Sequence, residues 1–511
     1  MKKVIKPLLL STMLCSSLSF ANSIEMPGAE AASKNIDSSE VMAHLHELQK
    51  IADLNDGNRS SSTPGHELSA NYIAQKLMLA GYEVEFSPYT YERYEQVGTA
   101  SLAQLAPNQV DYIEEDQFAI MPYSTTGNIT GEVEAVDLAL GLGNESTSGC
   151  EIEDFANFTK GKVALLQRGA CTFAQKAENA AASGATAVII FNQGNDVTRR
   201  EAFAGTLGDE TDVKITVATL TYDIGEALSK IEGLTINVQA ETKVVESTSY
   251  NVLAETKAGD PNNVVMLGSH LDGVQAGPGI NDNGSGSAGI LTVALRMAKV
   301  NVNNKLRFAW WGSEELGLIG STKYVEALTE EEKSKITLYL NFDMIGSPNY
   351  MVGVFDGNGS LTDFKAPKGS YAIERLFQLY FAANDQNNIE LEASGRSDYA
   401  AFSDAGISYG GLFTGAEGTK TEEQAVLFGG TAGEAYDACY HKECDDINNI
   451  NQEALEINVN AISFMALSFA YSTSAILEEQ LAEDKPVIST VPESGIITSD
   501  IGHDNHHHEE M

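Results

Sequence analysis

Three short polar clusters follow apolar runs in this chain, and each carries residues that bind cations or move protons. Ser269-His270-Leu271-Asp272 follows the run 264–268, Gly312-Ser313-Glu314-Glu315 follows 306–311, and Asp343 follows 338–342. Read as strands, the three runs deliver these groups to one crevice, because ligand sites of open α/β sheets lie beyond the carboxyl ends of their strands. Asp282 sits in the loop after His270, and His441 comes from a segment between Cys439 and Cys444. Two histidines and several carboxylates without thiolates suit zinc-type hydrolytic chemistry. Taken singly, His270 reads as an ordinary strand-end histidine and Glu314-Glu315 as a solvated loop. His44, His46, His66 and the histidines near the C-terminus stay at that reading.

Charge counting points to two metals. Two divalent cations bring four positive charges, while Asp282, Glu315 and Asp343 bring three negative ones and neutral imidazoles bring none. A bridging hydroxide completes a neutral cluster. Glu314 is then left over beside it, a free carboxylate suited to general-base work.

The elements that must position these groups alternate from residue 250 onward. Helices read at about 286–299 and 317–327 between the three strands, with a last amphipathic helix at about 452–472. That alternation implies right-handed crossovers and an α/β fold: a mixed, mostly parallel sheet flanked by helices on both faces. Upstream, a helix over 69–80 ends at Gly81, and a strand-like run covers 82–86. A self-contained unit spans about 129–243, with a strand (162–167), an alanine-rich helix (173–183) and another strand (185–192).

Composition excludes several classes. The 511 residues suit roughly three domains of about 150 residues, and 43% hydrophobic with 20% charged residues are ordinary globular values. Lys plus Arg number 32 against 72 for Asp plus Glu, a formal charge of -40. Such a surface repels phosphate backbones and anionic lipid, so neither nucleic acid nor membrane is an expected partner. Residues 1–21 read as a signal peptide: Lys2 and Lys3 precede an apolar run over 7–20 and small residues before Asn22. A secreted or periplasmic location is expected, with cysteines meeting an oxidising compartment. Besides Cys15, four cysteines allow three connectivities, and proximity favours Cys150 with Cys171 and Cys439 with Cys444. Residues 477–511 read as an acidic, His-rich tail, disordered or removed.

Two motifs mislead. Gly284-Ser285-Gly286-Ser287-Ala288-Gly289 satisfies the dinucleotide G-x-G-x-x-G pattern, but its first glycine does not directly follow a strand. Small residues for close helix–sheet packing explain it. Gly395-Arg396-Ser397-Asp398-Tyr399 lacks the final glycine of a nucleophile elbow, and there is no H-E-x-x-H.

Five ordered segments together resemble the secreted bacterial di-zinc leucyl aminopeptidases, whose superfamily includes glutamate carboxypeptidases and transferrin receptors. They are Gly268-Ser269-His270-Leu271-Asp272, Asn281-Asp282-Asn283-Gly284-Ser285-Gly286, Trp311-Gly312-Ser313-Glu314-Glu315-Leu316-Gly317, Asn341-Phe342-Asp343-Met344-Ile345-Gly346 and Cys439-Tyr440-His441-Lys442-Glu443-Cys444. Gly411-Leu412-Phe413-Thr414-Gly415-Ala416-Glu417 also matches. The resemblance implies a zinc-exopeptidase catalytic domain over 36–128 and 245–476. The insert, 129–244, resembles a protease-associated (PA) domain in residues 161–169 and 171–173.

By that resemblance Asp282 bridges two zinc ions, one also held by His270 and Asp343, the other by Glu315 and His441. Asp272 would accept the second ring N–H of His270. Glu314 would deprotonate a metal-activated water, and Tyr440 would donate to the oxyanion. Arg396 and Phe413 would contact substrate, although Tyr399 stands where related enzymes often have His. A cis peptide between Asp282 and Asn283 is also implied, and no calcium signature is present. The expected activity is removal of large apolar N-terminal residues from peptides with a free N-terminus, by a monomer. A carboxypeptidase with the same metal site and a non-catalytic binding protein on this fold are the rivals. The complete ligand set with Glu314 and Tyr440 speaks against the last.

Overall fold

The computed structural model describes residues 32–482, apart from 198, 204, 209–212 and 362–365. The expected signal peptide, 1–21, and most of the expected tail lie outside the described residues. Residues 477–481 do not begin that tail: they complete a helix, Ser474–Leu481, which buries Ile476.

In chain order, β1 is Glu83–Gln96; β2 to β9 are Ser101–Ala106, Val110–Asp111, Phe118–Ile120, Gly127–Ala135, Val163–Gln167, Ala187–Phe191, Thr216–Leu220 and Thr235–Ala240. Strands β10 to β16 are Thr242–Glu255, Asp260–His270, Asn304–Trp311, Ile336–Phe342, Gly353–Phe355, Ile389–Leu391 and Ser408–Phe413. They form two sheets, ordered β1-β10-β12-β11-β13-β16-β14-β15 and β3-β2-β9-β5-β6-β7-β8-β4.

The first sheet is mixed, with β12, β11, β13 and β16 running parallel at its centre. Every residue of β13 is buried, as continuous apolar runs covered on both faces should be. One face packs against helices Ser38–Asp53, Pro64–Ala80, Gly286–Met297, Ser370–Ala383 and Gln452–Tyr471; the other carries Tyr324, Tyr399 and Phe402 from Ile319–Ala327 and Tyr399–Asp404. Gln452–Tyr471 is long and apolar enough to cross a bilayer, but its apolar side lies in this core. The helix expected from residue 69 begins at Pro64, where Thr63 accepts the His66 N–H and proline occupies the first turn.

The second sheet places the boundary of the insert differently from the sequence. Strands β2 to β4, expected with the catalytic part, pair here: β2 with β9 and β4 with β8. The chain leaves along β1 and returns along β10, two strands paired over fourteen residues each. Such a ribbon carries no composition change to mark it. Cys150 is bridged to Cys171 and Cys439 to Cys444.

Glycines of the first sheet allow close approach. A methyl group on Gly268 would lie 2.3 Å from the Tyr339 hydroxyl and 2.6 Å from Trp311 Nε1, both fully buried. We therefore expect Gly268→Ala to lose about 1–3 kcal/mol through overpacking; a thermal melt indistinguishable from that of the parent chain would contradict this packing.

Candidate functional site

Strand ends assemble the site. His270 closes β11, Glu314 and Glu315 follow β12, and Asp343 follows β13. Backbone N–H groups around the two glutamates are pinned individually. Gly312 donates to Asn251 Oδ1 (3.1 Å), Ser313 to Ser61 Oγ (2.6 Å) and Glu314 to Asp272 Oδ1 (3.2 Å). Ser313 adopts a left-handed φ of 58° within this turn.

Asp282 is central. Its Oδ1 lies 3.3 Å from His270 Nε2, and its Oδ2 lies 3.2 Å from His441 Nε2. Each histidine faces a second carboxylate. His270 Nε2 is 3.2 Å from Asp343 Oδ1, and His441 Nε2 is 2.9 Å from Glu315 Oε2. Glu314 Oε2 stands 3.8 Å from His270 Nε2. The ligand atoms of His270, Glu314 and Asp343 lie within 4.8 Å of one another, as do those of His270, Asp282 and Glu315.

Whether a metal fits can be tested on the donors themselves. Glu315 Oε1 has no hydrogen-bond partner, although its side chain is only 4% exposed. A buried carboxylate oxygen without a donor is costly unless a cation meets it. Nitrogen and oxygen donors without sulfur, arranged around one carboxylate that faces both histidines, suit a divalent metal such as zinc.

Asn281 to Asn283 are lashed in place by residues that sequence reasoning missed. The peptide between Asp282 and Asn283 is cis. Asp445 accepts the Asn281 and Asp282 N–H groups at 2.8 and 3.0 Å, and Asp437 accepts Asn281 Nδ2 at 2.7 Å. Asn449 bonds both of these aspartates. Asp437 and Asp445 flank the Cys439–Cys444 loop, so the segment that presents His441 also holds Asp282. Asn283 donates to Ser269 Oγ and the Phe342 carbonyl and accepts the Gly286 and Met344 N–H groups, tying two strand ends to the start of the helix Gly286–Met297. Gly286 belongs to the glycine-rich motif set aside as packing: a methyl there would lie 2.2 Å from the Phe342 carbonyl.

Asp343 is aimed from behind by a buried chain. Trp311 Nε1 donates to Tyr339 OH (2.8 Å), Tyr339 to Asn341 Oδ1 (2.9 Å), Asn341 to Ser397 Oγ (2.9 Å), and Ser397 to Asp343 Oδ2 (2.7 Å). Ser397 stood next to Arg396 in sequence, yet nothing in its type marked it. Around His270 the geometry differs in detail from the sequence expectation. The nearer acceptor for Nδ1 is the Asp272 backbone carbonyl, 3.1 Å away, while the carboxylate lies at 3.8 Å, engaged by the Glu314 N–H.

Burial raises the Glu314 carboxyl well above the usual carboxylate range; His270 opposes that shift, and Asp343, Glu315 and Asp398 add to it. Tyr440 stacks on His441, ring centroids 3.8 Å apart, and burial pushes its hydroxyl well above the ordinary phenol value. It remains a donor. Arg396 and Phe413 stand further out: the Arg396 guanidinium is 3.5 Å from Glu417 and half exposed, and Phe413 ends β16, partly buried. A groove of about 450 Å³ between β1, β10 and the helix Ile319–Ala327 contains none of these groups.

Comparison with known proteins agrees with this geometry. Residues 251–466 match the model of peptidase family M28, and residues 129–228 match the PA domain. An aminopeptidase of Pseudomonas aeruginosa is 50% identical over 444 residues, 87% of this chain and 83% of its own. Leucine aminopeptidase 2 of Trichophyton tonsurans is 39% identical over 85% of this chain and 84% of its own. Among solved structures, an aminopeptidase from Aneurinibacillus sp. strain AM-1 superposes with a TM-score of 0.67 at 26% identity, covering 86% of this chain and 96% of its own. A zinc aminopeptidase from Bacillus subtilis gives 0.63 at 25%, covering 84% and 95%. With these histidines and carboxylates gathered on this fold and a half-identical relative matched along most of its length, the chain belongs to peptidase family M28 and is an aminopeptidase carrying a PA domain.

Proposed function

We propose that this aminopeptidase is a di-zinc enzyme that removes large apolar residues, leucine above all, from peptides with a free N-terminus, and that it works as an exported monomer. The observation that carries the metal reading is the two-way use of Asp282, whose oxygens face different histidines at 3.3 and 3.2 Å. His270 and Asp343 would complete one zinc site, Glu315 and His441 the other. Export is supported by the two disulfides and by the N-terminal sequence.

Zinc bound there supplies Lewis acidity, polarising the scissile carbonyl and lowering the pKa of the attacking water. The protein does the rest. Glu314 takes the proton from water as its oxygen bonds to the carbonyl carbon, then returns that proton to the amine nitrogen as the C–N bond breaks. Tyr440 donates its hydroxyl proton in a hydrogen bond to the oxygen on which charge develops. Substrate enters with a free α-ammonium, and a cation near the metals needs surplus negative charge. Glu314 and Asp343 supply it, helped by the backbone carbonyl near Arg396. Because Glu417 is paired with Arg396, that guanidinium brings no uncompensated charge to the rim. Phe413 offers an apolar wall to the N-terminal side chain.

Two results are expected from the adjacent glutamates. Glu314→Gln should retain its zinc while kcat falls roughly 10²–10⁴-fold, the scale of a lost general base. Glu315→Gln should lose metal as well, and equal metal loss in both variants would reverse the assignment. Specificity gives a third result. Burying a leucine side chain is worth about 1.5–3 kcal/mol, so leucyl p-nitroanilide should exceed the alanyl compound roughly 10- to 200-fold in kcat/KM. Comparable hydrolysis of acetyl-leucyl and leucyl anilides would remove the requirement for a free amine and with it the exopeptidase reading.

A further inference from the structure

Arg59 is fully buried, at 0% exposure, and its guanidinium points into the turn that links His270 to Asp282. Nε donates to the Pro278 carbonyl at 2.9 Å, and the two terminal nitrogens donate to the Leu271 and Gly279 carbonyls. One planar cation therefore ties the residue after His270 to the residues just before Asp282. The turn is built around it. Methyl groups on Gly279, Gly284 and Gly273 would lie 3.3, 3.6 and 3.9 Å from its Nη2. A side chain at Gly279 would also meet the Asp282 carbonyl at 2.6 Å, where the backbone is left-handed at φ 64°.

Electrostatics point the same way. Burial lowers the guanidinium to about 10, so it stays charged at neutral pH, and Asp272, Asp445, Asp282 and Glu315 all act to raise it. Asp272 and Asp445 are not among the proposed metal ligands, so zinc does not neutralise them directly. Lysine could supply the charge but not three donors in a fixed plane.

We propose that Arg59 is a positioning residue of the metal centre: a permanently charged strut that fixes His270 and Asp282 relative to one another and offsets the buried carboxylates behind them. The proposal rests on the di-zinc reading above. It is tested on the full chain with Arg59→Met and Arg59→Lys, read by zinc release to a chelating dye, by melting temperature with and without zinc, and by kcat and KM on leucyl p-nitroanilide. Residues that orient metal ligands typically change affinity or activity by about 10- to 100-fold. Arg59→Met should therefore release zinc at least about tenfold faster and lose kcat on that scale with KM nearly unchanged. Its melting temperature should gain less from zinc than that of the wild type. Arg59→Lys should fall between the two, and it provides the same readouts if Arg59→Met does not fold. Zinc release and kcat at wild-type values, with equal loss of melting temperature in the zinc-free and zinc-loaded forms, would make Arg59 merely structural and overturn the proposal. A wild-type chain that binds no zinc would instead fail the di-zinc reading itself.

Discussion

Negative charge packed at the carboxyl ends of three neighbouring strands is the constraint on which the rest of this structure turns. Asp272, Asp282, Glu314 and Asp343 are buried there, with Glu315 beside them. Taking even one unpaired carboxylate out of water costs several kcal/mol. Such a cluster must either take up protons or meet counter-charge, and two histidines facing one shared aspartate point to where that charge belongs.

Much of the surrounding architecture is a set of restraints on those carboxylates. Backbone N–H groups hold the Glu314 turn, a relay from Trp311 to Ser397 aims Asp343, and Asp437, Asp445 and Asn449 bind the Asp282 turn to the disulfide loop that presents His441. Each restraint is a buried polar contact that leaves an orphaned partner if one side is removed. The mostly parallel sheet brings three strand ends together; Asn283, bonded to Ser269, Phe342, Gly286 and Met344, holds two of them against the helix that follows Asp282.

The chemistry was more legible in the sequence than its supports. His270, Glu314, Glu315 and Asp343 announce themselves by type and by place after apolar runs, Asp282 and His441 by type and by the motifs around them, and the structure gathers all six. The helix Ser38–Asp53 went unread, although Asp37 and Glu40 form a capping box. The β1–β10 ribbon was equally hidden, since long paired strands of mixed polarity show no clean period. Arg59, Ser397, Asp437 and Asp445 look like surface residues in a chain this acidic, because their value lies in partners hundreds of residues away or across a turn. Local pattern reports which face is apolar; it does not report which carbonyl a buried guanidinium will meet.

The central claim, that Asp282 joins two metal sites, is tested most directly by metal analysis of the purified, metal-replete chain beside Asp282→Asn. Inductively coupled plasma mass spectrometry should find two zinc ions per wild-type chain and a deficit in the variant, whose neutral amide is a poor bridge between two cations. One zinc or none in the wild type, or two in both proteins, would contradict the shared-carboxylate site.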